Sequence, residues 1–153
     1  MSVDYEAMAK GYDALIPFAR HIGLQVKSIG PGTATVVLPS AETTMNHVQS
    51  QHAGALFTCG ESASGGAFIG TFAERMGEIT PLAQSAEITY KKIARGDITA
   101  NATFDADPQE LFAQLDREGK VRFTVQVELV DGEANVVAAM AVQWYVRKNP
   151  PAS

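Results

Sequence analysis

A single cysteine, Cys59, stands in the 153 residues, so no internal disulfide can staple the fold. Basic residues are few. Twelve Lys and Arg against 17 Asp and Glu leave a net charge of -5, which gives no electrostatic support for binding nucleic acid. Charged residues of both signs reach only 19%, slightly low for a soluble protein, which leaves room for a buried subunit interface. Of three histidines, His47 and His52 have no third ligand at a suitable spacing, so no metal site is expected. The weakly charged stretch Asn46–Phe72 is broken by Glu61 and by hydroxyl residues, and is too polar to span a membrane. Met1–Lys10 is acidic and polar and lacks the apolar run of a secretory signal, so a cytoplasmic protein is expected. Repeats, linkers and low-complexity segments are missing too. One domain over residues 1–148 follows, with 149–153 as a flexible tail.

What is present is a regular alternation of patterns. Asp4–Phe18 predicts an amphipathic helix, with Tyr5, Met8, Tyr12, Leu15 and Ile16 on one face and Pro17 near its end. Ile22, Leu24 and Val26 alternate as a strand, Gly30-Pro31-Gly32 turns the chain, and Ala34, Val36 and Leu38 return as the second arm of a hairpin. Ala41–Gln51 is a polar loop. A long helix is expected from His52 to Phe72, with Gly77 and Pro81 breaking the chain behind it. Ala86–Tyr90 and Ile98–Phe104 alternate as two strands on either side of the turn Ala94-Arg95-Gly96-Asp97. Asp107-Pro108-Gln109-Glu110 is a helix start and Gly119 its stop. Phe123–Leu129 is a further strand. Val136–Val146, almost continuously apolar, predicts a central strand covered on both faces. The class is α+β, with six antiparallel strands wrapped around one long central helix.

That helix is unusual in composition. It carries Gly54, Gly60, Gly65, Gly66 and Gly70, each costing about 1 kcal/mol relative to Ala in a helix interior. Its one carboxylate is Glu61, and Asn46, His47, Gln49, Gln51 and His52 cluster just before its start. So many small residues predict a helix closely approached by other backbone. The stretch resembles the hotdog acyl-CoA thioesterases, in particular the phenylacetyl-CoA-thioesterase-like branch. That branch has an Asn, a short loop, His-Gly-Gly, an apolar pair and an acid on the helix. The matching residues are Asn46, His52-Ala53-Gly54, Leu56-Phe57 and Glu61. Ile88–Ile98, with Gly96-Asp97, is similar to the family's strand-turn-strand segment. Two departures stand out: Ala53 replaces the first Gly of the pair, and Gln49 or Ser50 stands where a loop glycine is often found. The resemblance implies the hotdog fold, an acyl-CoA substrate, no cofactor apart from the substrate's own coenzyme A, and a homodimer or homotetramer.

Thioester hydrolysis needs a donor for the developing oxyanion and a nucleophile or base for water. Helix starts present free amides and a positive dipole end. The Gly54 N–H, with no side chain in the way, is therefore the candidate carbonyl polariser. Glu61 is the candidate nucleophile or general base, with a pKa expected to be raised by desolvation. The two lie seven residues apart on nearly one helix face, roughly 10 Å along the axis. One carbonyl cannot reach both, so Gly54 of one subunit is expected to face Glu61 of its partner across a two-fold axis. The family arrangement implied by the resemblance is similar. Asn46, Gln51 and His52 are candidates for orienting the thioester or water, and Ser64 for holding the carboxylate of Glu61 or the water. Lys91, Lys92 and Arg95 are candidates for contacting coenzyme A phosphates. The acyl group is not legible; pocket shape depends on which of Phe57, Phe68, Phe72, Met45 and Met76 line it.

Blander readings stand beside these. Glu61 can also be read as a buried acid held by amides, Gly54 as a packing glycine, His52 as a helix-start residue and the cations as a solvated turn, while Cys59 reads as a small core residue. Two other functions fit the same pattern. One is a non-catalytic acyl-CoA or lipid-binding hotdog protein. The other is an acyl-thioester dehydratase or hydratase, which needs a different pairing of His and acid.

Overall fold

A computed structural model describes residues 2–152. Helix α1 (Tyr5–Leu15) is opened by Asp4, whose carboxylate accepts the Ala7 amide at 3.0 Å. It stops at Ile16, held extended in front of Pro17, and Pro17 starts the separate short helix α2 (Pro17–His21). The single helix expected over Asp4–Phe18 is therefore two. The strand expected from Ile22 begins later as well. Ile22 closes α2, Gly23 takes a left-handed φ of +83°, and β1 runs from Gln25 to Gly30.

The chain continues through β2 (Thr33–Leu38), a 3-10 turn at Glu42–Thr44 and α3 (Ala53–Phe72), which tightens into 3-10 turns over Ala73–Glu78. Then come β3 (Ile79–Tyr90), β4 (Ile98–Thr103), α4 (Pro108–Glu118), β5 (Lys120–Val130) and β6 (Val136–Lys148). Helix α4 has the expected ends: Asp107 accepts the Gln109 amide at 2.9 Å, and Gly119 closes it at φ +75°.

The six strands form one antiparallel sheet in the order β1-β2-β4-β5-β6-β3. Consecutive strands β3 and β4 thus lie far apart in the sheet. β3 pairs only with β6 and forms one edge. Pro81 does not break the chain as expected; it lies inside β3 opposite Val146, because an edge strand tolerates a missing N–H. β6 is also less covered than expected. Met140, Val142, Trp144 and Val146 are buried, whereas Ala139, Ala141, Gln143 and Tyr145 on its other face are half-buried. Its apolar run reflects small alanines, which do not reveal whether a second layer lies over them.

α3 lies on the inner face of this sheet, with Leu56, Cys59, Ala63, Ala67, Phe68 and Phe72 buried. Phe68 stacks on Trp144 and Phe123, with ring centroids 5.4 and 5.9 Å away. The approach is closest at Gly70, where an added Cβ would fall on the carbonyl oxygen of Gly30. This is the backbone-to-backbone contact that the glycine content predicts. Asn149 continues beyond β6 by donating its amide to the Glu78 carbonyl at 2.8 Å. Among the described residues, no helix is long and apolar enough to cross a membrane.

Candidate active site

The polar loop before α3 is built by its own side chains. Asn46 Oδ1 accepts the amides of Val48 and Ser50 at 3.0 Å each, and its Nδ2 donates to Ser50 Oγ at 2.9 Å. This tight turn forces Gln49 to a φ of 61°, the left-handed region in which glycine is favoured. It explains physically why a glycine suits this place.

Gln51, expected at the substrate, is only 2% exposed and fully engaged. Its Oε1 accepts the Thr44 hydroxyl at 2.8 Å, and its Nε2 donates to the carbonyls of Pro39 (3.2 Å) and Gly96 (3.0 Å). Its backbone amide donates to Ala94 at 2.8 Å. Gln51 therefore clamps the loop to the end of β2 and to the β3–β4 connection, and has no free group for a ligand. Gln51→Leu is expected to lower stability by about 1–3 kcal/mol, read from the urea midpoint, because the carbonyls of Pro39 and Gly96 lose their donor, while the Thr44 hydroxyl keeps the Ala41 carbonyl as acceptor.

His52 caps α3. Its Nδ1 accepts the Gly54 amide at 2.8 Å, which places the proton of the neutral ring on Nε2. The Gly54 N–H is thus already engaged, whereas the neighbouring amides of Ala53 and Ala55 have no partner among the described residues. The Ala53 carbonyl accepts the Tyr90 hydroxyl at 3.0 Å, which ties the helix start to the end of β3.

Glu61 lies two turns further along. No fully buried side-chain nitrogen or oxygen among the described residues lacks a partner. By contrast, the half-buried carboxylate of Glu61 forms no hydrogen bond to them. Burial pushes its pKa above the ordinary glutamate value. Ser64 does not hold this carboxylate. Its hydroxyl donates to the backbone carbonyl of Glu61 at 2.6 Å and accepts the Trp144 indole N–H at 3.2 Å, in full burial. A residue missed by the sequence reading is Tyr12, whose buried phenol donates to the Ser62 carbonyl at 3.0 Å. Burial first, and then the nearby charge of Glu61, hold its proton more tightly than usual. Gly65 makes room for it, since an added Cβ there would overlap the Tyr12 hydroxyl.

Two depressions flank the start of α3. One, of about 430 Å³, is lined by Asn46, Leu56, Tyr90, Lys91 and Lys92 among others. The other, of about 420 Å³, lies between α2 and α3, with Phe18, Ile22, Met45, Ala55 and Thr58 in its wall and His52 and Gly54 at hand. Phe68 and Phe72, considered for pocket walls, are buried in the core instead. The three cations are not gathered together: Arg95 lines a separate hollow with Asp97, Asp131 and Glu133. No group of three His, Cys, Asp or Glu among the described residues is placed to hold a metal ion. Burial pushes the Cys59 thiol up to about 12, so it stays protonated and inert.

Six antiparallel strands curled on a long helix, with a polar loop feeding that helix's N-terminus, define the hotdog fold of the thioesterase superfamily. The chain belongs to the family described as "Domain of unknown function (DUF4442)", whose model matches residues 1–146. No curated protein matches the chain. A Pseudomonas aeruginosa protein of unknown function, described as a probable thioesterase, is 27% identical, with 97% of this chain and 99% of that one covered and a TM-score of 0.86. The Escherichia coli PaaI protein of the phenylacetic acid degradation operon is 21% identical, with 92% of each chain covered and a TM-score of 0.67. A mutant of a Staphylococcus aureus thioesterase is 14% identical, with 86% and 99% covered and a TM-score of 0.70.

Proposed function

We propose that the chain hydrolyses acyl thioesters of coenzyme A. Glu61 acts as nucleophile or as general base for water, and a first-turn amide of α3 polarises the carbonyl. The observation that carries this reading is the Glu61 carboxylate, left without a hydrogen-bond partner in a protein that satisfies its fully buried polar side chains. An unpaired acid of raised pKa on a glycine-rich helix is costly to keep unless chemistry uses it. The likeness to proteins described as thioesterases supports the same choice. Gly54 serves as donor once the His52 imidazole rotates off its N–H, and the unpartnered Ala55 amide lies beside it. Asn46 and Gln51 act indirectly, by shaping the loop that presents this turn. Lys91 and Lys92, at the mouth of the adjoining groove, meet the anionic end of coenzyme A.

The reading requires two protomers. β3 is a twelve-residue edge strand, exposed along most of its length, with Leu82 at 52% exposure. Such an edge is a template for pairing with a second copy about a two-fold axis. In that assembly the helices run side by side, and Gly54 of one protomer serves the partner's Glu61.

A turnover panel over short, long and aromatic acyl-CoAs tests the proposal, with Glu61→Ala as control. Wild type should cleave at least one class, and the variant should lose a factor of about 100 or more in kcat. Binding of acyl-CoA without any turnover would favour a carrier role instead.

A further inference from the structure

The two depressions beside the α3 start differ in chemistry. The groove on the β3 side carries Lys91 and Lys92. The cleft between α2 and α3 has no Asp, Glu, Lys or Arg in its lining. A coenzyme A thioester is divided in the same way, with an acyl group on one side of the carbonyl and an anionic nucleotide on the other. We propose that the α2–α3 cleft receives an apolar acyl group longer than acetyl, and that Phe18 and Ile22 are specificity-determining residues. This rests on the hydrolase reading above and adds the substrate class to it.

Three observations carry the assignment. The floor of the cleft is the helix turn bearing Gly54, Ala55 and Thr58, so a chain lying in it begins beside the amide donors. Phe18 is 62% exposed although aromatic, and its ring borders this cleft. It is carried there because Pro17 starts a new helix, while Ile22 is held by the hydrogen bond its backbone N–H donates to the Phe18 carbonyl at 3.3 Å. The cleft is open to solvent, its lining is mostly apolar, and its volume of about 420 Å³ leaves room for a group larger than acetyl.

The test is kcat/KM over straight-chain acyl-CoAs from acetyl to dodecanoyl. Burial of a methylene contributes about 0.8 kcal/mol, so each added methylene should raise kcat/KM about fourfold until the cleft is full. Phe18→Ala should reduce that slope below twofold per methylene. Thr58→Phe, which fills the floor, should lower octanoyl-CoA turnover at least tenfold relative to acetyl-CoA. Leu15→Ala, an exposed apolar residue outside the cleft, should leave the slope unchanged. Wild-type turnover with no chain-length dependence, or equal slopes in wild type and both cleft variants, overturns the inference while leaving the hydrolase reading intact. If wild type cleaves no thioester, the hydrolase reading falls, and calorimetry with octyl-coenzyme A thioether decides this one. Affinity at least tenfold weaker in Thr58→Phe than in wild type sustains the assignment, and equal affinity overturns it.

Discussion

Glu61→Gln is expected to abolish thioester turnover and, at neutral pH, to make the protein harder to unfold. The change keeps the shape of the side chain and removes its charge. Because burial raises the folded-state pKa of Glu61, the native protein holds this proton more tightly than the unfolded chain does. The sign follows from linkage. The contribution of Glu61 to stability is greatest in acid, below its unfolded pKa. It is lost as pH rises through the interval between the unfolded value and the raised folded one. At pH 7 the ionised, unpaired carboxylate carries a desolvation cost that Gln does not incur. The variant should therefore melt higher than wild type at pH 7, and the difference should vanish in acid. Turnover should fall by about 100-fold or more, as in Glu61→Ala, since neither a nucleophile nor a base remains. The acid limb of the wild-type kcat/KM profile should lie above the ordinary glutamate range. A Gln variant that keeps its activity and melts lower at pH 7 would show Glu61 to be a structural acid.

The largest effect on stability is expected from Gly70→Ala. In an exposed helix interior this change is favourable by about 1 kcal/mol. At Gly70 the added methyl would fall on the Gly30 carbonyl oxygen of β1, backbone against backbone, with no flexible side chain to move aside. Relieving the overlap requires α3 and β1 to separate, at a cost of roughly 3 kcal/mol or more. Gly11→Ala in α1, where nothing lies within 4 Å of the added Cβ, is the matched control and should gain up to about 1 kcal/mol. Urea denaturation of the two variants gives opposite signs if the packing is as described. A stabilised Gly70→Ala would contradict it.

The six strands and the buried helix were legible because alternation and glycine content are local signals of burial. Helix α4 was legible from Asp107 and Gly119, whose roles depend on near neighbours alone. Strand partners were not. Nothing in the run Ile79–Tyr90 says that it crosses the whole sheet to join β6, and Pro81 suggested a break because edge position is a tertiary property. At the site, the sequence brought the right segment into view but could not separate ligands from scaffolding. Gln51 and Ser64 looked like free polar groups. Their partners, Pro39, Gly96 and Trp144, are distant in the chain and could not be assigned in advance. Tyr12 was hidden for the converse reason: on an amphipathic helix it counted as one more apolar residue.

The composition of α3 also bears on how the molecule opens. Gly60, Gly65, Gly66 and Gly70 within one 20-residue helix leave it well short of the propensity needed to persist alone in water. The helix therefore depends on the strands packed around it for its persistence. Hydrogen exchange should show this directly. Amides in the middle of α3 should exchange only through global unfolding, at the same free energy as β5, while those of α1 and α4 open earlier by local fraying.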